Sequence, residues 1–279
     1  MNFMAPIVKR IQGIYGVVET AGDANKLHYL FANTLGLPED FAPADHGSFR
    51  GGGIYMGNVW FKFLTFHPKD YLMSSKPAKL QILEMQPINY DRCIKELDKR
   101  GISYKIDASK MPDETGQETE WGRDVLLQAP LFKEIMLDFS TFTQLAFRSF
   151  TSAPEARDLD DHNRIMKARF DAAGGGLLGA KAVKEIELGV KDVKRDMRAW
   201  QTLLSPLKPD GDSWMIGRSP TLRFTPSRDY SIRSVSIGVK SLRTAKKVLR
   251  MNGLLGEANE NMVALDREKV NGLDIRFVK

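Results

Sequence analysis

Short apolar segments, each followed by an amphipathic helix pattern, recur four times along the chain. In the first copy, Leu27, Phe31 and Leu35 fall at helical spacing on one face, and a Gly-Leu-Pro sequence ends the helix. Further short strand patterns follow each helix, so every copy has the order βαβββ. The strand-like segments that open the four copies lie at 14–20, 80–87, 183–190 and 233–240. Such repetition indicates four related modules.

A different pattern separates the second copy from the third. Residues 151–182 begin polar, predict a helix around 155–171 and end in a glycine-rich stretch. The predicted fold class is therefore α+β, with four βαβββ modules forming two tandem domains. The predicted boundaries are 1–152 for the first domain (modules about 12–70 and 79–150), 153–182 for a connector with a helix, and 183–279 for the second domain (modules about 183–228 and 231–279).

Composition narrows the class of protein. A single cysteine among 279 residues excludes a disulfide scaffold and a multi-cysteine zinc site. The net charge of +6 comes from basic residues interleaved with acidic ones, so neither a nucleic acid nor a membrane is an expected partner. No apolar run approaches the ~18 residues that span a bilayer, and no signal peptide is recognised. A cytoplasmic location is the resulting expectation.

The repeated units resemble the vicinal oxygen chelate (VOC) superfamily, which includes glyoxalases, bleomycin resistance proteins and extradiol dioxygenases. The resemblance lies in VVETAGDANKLHYLFANTLGLP with GGGIYMGNVWFKFLTF, and in VKEIELGVKDVKRDMRAW with IGVKSLRTAKKVLRMNG. It implies that paired modules curve into a cup around a small ligand, giving two VOC-type domains. Because this fold hosts many reactions, the resemblance is less informative about chemistry.

The resemblance also implies where a metal would bind, through two histidines and a carboxylate. The corresponding first-strand positions are near Tyr15 or Gly16, Ile82, Glu185 and Ser234, and the closing-strand positions are near Lys62, Asp138, Arg223 and Arg276. None is a histidine, and lysine or arginine does not ligate a divalent metal at neutral pH. We therefore expect no metal and no other cofactor. A carboxylate-only site for Mg or Mn, made by Glu19, Glu84 and Asp138, remains an alternative.

Strand alternation indicates which polar side chains face the first cup. Glu84 and Glu19 are predicted as the general acid and base, because burial in an apolar cup raises a carboxyl pKa. Lys62 is predicted to stabilise a developing anion. The alternative is that Glu84 simply pairs with Lys62 and fills the cup.

Candidate substrate-binding residues surround these three. His46 lies in a loop placed to cover the cup, and the arginines of the second half could anchor a carboxylate or phosphate. They could equally form ion pairs with Glu185 and Glu187. The predicted substrate-binding residues are Tyr15, Trp60, Asp138, Gln86, His46, Arg223 and Arg276.

The leading functional hypothesis is an enzyme that performs proton transfer on a small organic substrate, such as an isomerase, cyclase or lyase. An anionic substrate is one option. The first alternative is a non-catalytic protein that binds or sequesters a small molecule. The second is a metal-dependent dioxygenase or glyoxalase with non-standard carboxylate ligands. Because such modules often pair between chains, a homodimer is a further open alternative.

Overall fold

A computed structural model describes residues 5–45, 49–66, 78–102, 104–112, 118–127, 144–150, 159–218 and 220–279, with only the backbone for residue 90 and residues 105–159. The first module comprises β1 (Val8–Val17), α1 (Ala21–Tyr29) continued by a π-helical turn (Leu30–Thr34), β2 (Glu39–Asp45), β3 (Phe49–Tyr55) and β4 (Trp60–Phe66). The second comprises β5 (Lys79–Pro87), α2 (Tyr90–Lys99), β6 (Tyr104–Pro112), β7 (Glu118–Leu127) and β8 (Gln144–Phe150). Both have the predicted βαβββ order.

The second half repeats this plan after a connecting helix, α3 (Leu159–Ala172). The third module comprises β9 (Ala180–Val190), α4 (Val193–Leu204), β10 (Ser213–Met215) and β11 (Thr221–Pro226). The fourth comprises β12 (Ser231–Val239), α5 (Leu242–Met251), β13 (Leu255–Ala258), β14 (Met262–Leu265) and β15 (Ile275–Val278). In the described residues the third module has two strands after its helix where the others have three. This arrangement confirms the predicted α+β class.

Strand pairing follows the same rule in both halves. The opening strands of the two modules pair antiparallel, β1 with β5 and β9 with β12. Each opening strand also pairs parallel with the last strand of its own module: β1 with β4, β5 with β8, β9 with β11 and β12 with β15. A single pair, Ile232 with Leu80, joins β12 to β5 and makes one continuous sheet of the two halves.

The helix of the first module packs on one face of the sheet and leaves the other face for the cup. In the first module, Phe61 and Phe63 of β4 lie against Phe31, with ring centroids 6.4 and 5.2 Å away. Alternation along β4 therefore turns Trp60, Lys62 and Leu64 to the opposite face. This is the cup face on which the sequence placed Lys62.

Each module's first helix begins at a capping side chain that accepts a hydrogen bond from the backbone N–H three residues on. The caps are Thr20, Asn89, Asp192 and Ser241. A cap of this kind satisfies one of the four N–H groups that a helix start leaves without a partner. In α1 the acidic residue Asp23 occupies the first turn, where negative charge is favourable.

The two halves are also joined by a buried arginine at the end of α2. The guanidinium of Arg100 donates to the carbonyls of Leu203 and Ser205 at the C-terminal end of α4, at 3.0 Å for Ser205, and to Ala5. Helix C-termini carry partial negative charge and unpaired carbonyls, so a cation is stabilising there. Burial lowers the pKa of Arg100, while Glu96 beside it opposes that shift.

The predicted connector is well packed around its helix. The glycine-rich turn after α3 is held by backbone hydrogen bonds, among them Leu177 N–H to the carbonyl of Leu35 at 2.9 Å. Gly176 needs its positive φ of 65° there, and an added Cβ would come within 2.3 Å of that same carbonyl. The connector helix is thus anchored to the first module. Among the described helices, none combines the length and apolar character needed to cross a membrane.

Candidate functional site in the first cup

The carboxylate of Glu84 lies at the centre of a buried polar cluster on the cup face. Its side chain has no exposed surface. One oxygen, Oε1, accepts from the amide of Gln12 at 2.7 Å. The other, Oε2, accepts from the hydroxyl of Tyr15 and from the ammonium of Lys62, the latter at 2.9 Å. These four residues, Gln12, Tyr15, Lys62 and Glu84, form the first-cup cluster.

A β-bulge in β1 gives the first-cup cluster its geometry. Ile11 pairs with Met85 and Gly13 pairs with Glu84, so Gln12 is an extra residue in β1. Strict alternation would turn Gln12 and Tyr15 to opposite faces, but the bulge turns both toward the carboxylate. Gly13 stands directly opposite, and a Cβ there would lie 3.1 Å from Glu84 Oε2. The absence of a side chain at Gly13 therefore leaves room for the carboxylate.

Lys62 occupies a position where cation, carboxylate and aromatic rings meet. Its Nζ donates to the Tyr15 hydroxyl at 3.0 Å and lies 4.6 Å from the centroid of that ring. The ring of Trp60 is 5.4 Å away. Lys62 is only 6% exposed. Hydrogen bonds, the counter-charge and the ring faces together offset part of the cost of removing the ammonium from water.

Two polar atoms of the same cup have no hydrogen-bond partner among the described residues. They are the acceptor Oε1 of Gln12 and the donor Nε1 of Trp60, both in side chains at most 2% exposed. Most buried polar atoms in proteins are paired with protein or with water, so an orphaned pair calls for an explanation. Each of the two atoms would gain a partner from a bound oxygenated molecule or from a water.

The connector helix α3 closes one end of the cup. Three side chains of the sheet contact α3: Trp60 through His162, and Gln86 and Arg10 through Asp160. They stand two residues along their strands from Lys62, Glu84 and Gln12, respectively. Arg10 donates to Gln86 at 2.5 Å and to Asp160 at 2.7 Å. A hydrogen bond from Lys9 is the largest cause that lowers the pKa of Asp160.

His162, also on α3, continues this contact toward β2. Its ring lies edge-on to Trp60 with centroids 5.2 Å apart, and its Nε2 is 2.6 Å from Asp40 Oδ1. Neither Gln12 nor His162 was among the sequence candidates. The adjacent Gly13 was the available signal for the bulge that turns Gln12 inward, whereas nothing in the sequence signalled where α3 docks.

The remaining first-half candidates stand apart from the first-cup cluster. Glu19 follows the end of β1 and is exposed, since the strand ends at Val17. The structure therefore does not bring Glu19 to Glu84, in contrast to the sequence expectation that both face the cup. His46 and Asp138 lie outside the described residues.

In the second cup the predicted arginines form ion pairs. Arg223 donates twice to Glu185 Oε2, at 2.9 and 2.7 Å, and these bonds raise its pKa. Arg276 donates to Asp274, which raises the arginine pKa, and lies 3.7 Å from Glu187. Both arginine side chains are more than a third exposed, at 45% and 34%. The contacts with Glu185 and Glu187 are those that the sequence offered as an alternative.

The donor set of the first cup does not fit the family's metal site. A divalent cation would need carboxylate or imidazole ligands. Both oxygens of Glu84 already accept hydrogen bonds, and the ammonium of Lys62 occupies the position that the resemblance gives to a closing-strand ligand. Within the described part of the chain, no group of three His, Cys, Asp or Glu side chains is arranged to hold an ion. We derive no metal-dependent step for this cup.

Comparison with known proteins shows that the fold of this chain is similar to those of several solved structures. No protein-family model matches the chain, and no curated protein matches it. A hypothetical protein from Staphylococcus aureus has a TM-score of 0.61 at 6% identity, with 96% of this chain and 98% of that chain covered. A variant of homoprotocatechuate 2,3-dioxygenase from B. fuscum has a TM-score of 0.56 at 11% identity, with 100% and 73% covered.

A third solved structure agrees with these two. The substrate complex of homoprotocatechuate 2,3-dioxygenase from Brevibacterium fuscum with 3,4-dihydroxyphenylacetate has a TM-score of 0.55 at 10% identity, and the match covers 100% of this chain and 82% of that one. At such low identity the likeness concerns the fold alone. The fold of the chain is therefore similar to that of these solved structures, extradiol ring-cleaving dioxygenase among them.

Proposed function

We propose that the first cup is the active site of an enzyme that moves a proton on a small organic substrate, without a metal. The observation that carries this proposal is the first-cup cluster itself, in which a fully buried carboxylate contacts an ammonium and a phenol. Catalytic acids and bases are typically held in such desolvated, hydrogen-bonded surroundings. The orphaned atoms of Gln12 and Trp60 support the proposal, because a substrate oxygen and hydroxyl would pair with them.

We assign a role to each member of the cluster. Glu84 takes a proton from a carbon beside a substrate carbonyl and returns it to a different atom or face. Lys62 and Tyr15 both donate to Glu84 Oε2 in the free protein, and in our proposal they turn to the substrate's carbonyl oxygen as it becomes an enolate. Fixed donors aimed at developing negative charge stabilise the transition state. Gln12 holds the carboxylate by its other oxygen and fixes its direction.

Solvent deuterium exchange tests this proposal without knowledge of the natural substrate. The protein is incubated in D₂O with pyruvate, hydroxyacetone and phenylpyruvate, and proton NMR follows loss of the α-hydrogen signals against heat-denatured protein. We expect catalysed exchange with at least one probe. Glu84→Gln should reduce its rate about 100-fold or more, the usual contribution of a general base.

Glu19→Gln is the matched control, because it makes the same chemical change in an exposed side chain beyond the end of β1. We expect this variant to exchange at the wild-type rate. Equal losses in both variants, or full activity in Glu84→Gln, would contradict the assignment of Glu84. Circular dichroism of both variants checks that the fold is retained.

The second candidate function is non-catalytic binding, which the closed, aromatic character of the cup favours. Lys62, Tyr15 and Trp60 line the cup, and each is at most 6% exposed. A sequestering protein would quench or shift Trp60 fluorescence on binding a ligand and would catalyse no exchange with any probe. Saturable binding by wild type, lost in Trp60→Phe and unaccompanied by exchange, would favour this alternative.

A further inference from the structure

We propose that Lys62 forms a covalent imine with its substrate, so that the first cup takes aldehydes or ketones. This inference rests on the proposed function, because it requires that a small organic substrate enters this cup. It adds a nucleophilic step and a substrate class to the proton transfer described above.

The surroundings of Lys62 differ from those of an ordinary ion-paired lysine. Lys26 also pairs with a carboxylate, Asp23 at 3.7 Å, but its side chain is 81% exposed. The side chain of Lys62 is 8% exposed and its partner Glu84 is fully buried, with 2.9 Å between the charged atoms. Two charges lose water in this pair, whereas an amine facing a carboxylic acid carries no such charge penalty. Desolvation of this kind is how proteins obtain an uncharged, nucleophilic lysine at neutral pH.

The contacts of Lys62 supply the proton movements of imine formation. Lys62 passes one ammonium proton to Glu84, and the neutral amine attacks the carbonyl carbon. The carbonyl oxygen takes the proton held by Glu84 through the hydroxyl of Tyr15, which contacts both Nζ and Glu84 Oε2. Glu84 then moves one proton from the nitrogen to the carbinolamine hydroxyl, which departs as water and leaves a protonated C=N bond. In sum, an ammonium and a carbonyl give an iminium and water, and Glu84 ends as the carboxylate it was at the start.

The iminium then stabilises the negative charge that develops on the substrate, as the free ammonium would do from a distance. It places the positive charge directly on the substrate, where it acidifies the neighbouring C–H bond. Glu84 is the adjacent base for that proton. The carbinolamine hydroxyl can both donate and accept a hydrogen bond. Gln12 Oε1 is an acceptor and Trp60 Nε1 is a donor, and neither has a partner among the described residues.

Reductive trapping tests the imine directly. The full chain is incubated at pH 7 with pyruvate or propanal and sodium cyanoborohydride, which delivers hydride to the iminium carbon and leaves a stable secondary amine. Alkylation of Lys62 blocks trypsin there and yields peptide 51–69. We expect Lys62 to be alkylated about 10-fold or more faster than Lys26 in the same sample, and Tyr15→Phe to slow Lys62 selectively, because general acid–base assistance contributes at least that much.

Lys62→Arg separates the imine from simple charge stabilisation. Arginine keeps the cation but forms no imine under these conditions, so the imine predicts that deuterium exchange is lost in this variant. If Lys62 is labelled no faster than Lys26 in wild type while exchange persists, the imine is refuted and the proposed function stands with Lys62 as a cation. If neither labelling nor exchange occurs, both proposals fail. The wild-type labelling ratio decides the matter even where the variant does not fold.

Discussion

The pair of Lys62 and Glu84 allows a stability experiment that separates structural need from functional use. Removing one member of a buried ion pair leaves an uncompensated charge and typically costs about 3–5 kcal/mol. Glu84 is fully buried and Lys62 is 6% exposed, so this full range applies. We expect Lys62→Met and Glu84→Gln each to lower the free energy of unfolding by about 3–5 kcal/mol at pH 7.

The double variant should be far more stable than either single one. With both charges gone, methionine fills the volume of the lysine stem against the rings of Tyr15 and Trp60. The amide introduced at Glu84 still accepts from Tyr15, and once the amide of Gln12 turns over, the new NH₂ group can donate to Gln12 Oε1. Replacing a buried ion pair by residues of similar volume is often neutral, so we expect the double variant within about 1 kcal/mol of wild type.

Urea unfolding followed by circular dichroism at fixed salt measures the stability of wild type, both single variants and the double variant, which together form a double-mutant cycle. The exposed pair of Arg223 and Glu185 is the control, because pairs of that kind contribute about 0–1 kcal/mol. Additive losses in the Lys62 and Glu84 double variant would refute the reasoning, as would a single variant that costs less than the control pair. A stable but inactive double variant would mean that the chain keeps the pair for chemistry.

Two further predictions concern other parts of the fold. Arg100→Met should lower the free energy of unfolding by about 3 kcal/mol, because buried carbonyls of Leu203 and Ser205 lose a charged donor; a urea midpoint equal to wild type would show that the contact between the halves does not depend on it. Burial raises the pKa of Cys93 and of Tyr230 to about 12 each. The unfolded chain releases these protons at lower pH than the folded chain, so stability should fall as pH rises from about 9 towards 12. Urea titrations across that range check the sign, and a smaller slope between pH 9 and 10 in Cys93→Ala identifies the thiol.

The repeat could be predicted from sequence because the same signals recur in each copy. Leu27, Phe31 and Leu35 form the buried stripe of the first helix and its π-helical turn, as their spacing predicted, and Cys93 with Leu97 does so in α2. These residues follow local periodicity, which holds wherever one helix face is buried. Fold class and module order were therefore accessible from the chain alone.

The details of the candidate site were less accessible, because they depend on one inserted residue and on long-range docking. The pairing of Glu84 with Lys62 followed from alternation. The inward direction of Gln12 did not follow from alternation, because the bulge at Gln12 and Gly13 shifts the alternation by one residue. Glu19 was misplaced for a different reason: alternation continued past Tyr15 puts Glu19 in the cup, but the strand ends at Val17. Contacts of α3 with the cup join residues far apart in sequence, which no local pattern encodes.

A comparison between the two halves shows why we assign the chemistry to the first. Glu84 and Glu187 occupy corresponding positions, each opposite a β-bulge in the neighbouring opening strand. Glu187 accepts from the hydroxyls of Ser234 and Thr225 at 2.8 and 3.0 Å and lies near arginines that reach solvent. Its charge is therefore matched by cations that are themselves in contact with water.

Glu84 has the opposite surroundings in the same framework. Its donors are one amide, one phenol and one ammonium, all buried, and the rings of Tyr15 and Trp60 stand beside the ammonium. In such low-dielectric surroundings each charge interacts strongly with its neighbours and with any charge that develops on a bound molecule. The two cups thus hold a glutamate at corresponding positions. Glu187 is paired with partly exposed arginines in the second cup, whereas Glu84 is buried beside a lysine in the first. The proton transfer and imine formation that we propose both depend on the desolvated arrangement of the first cup.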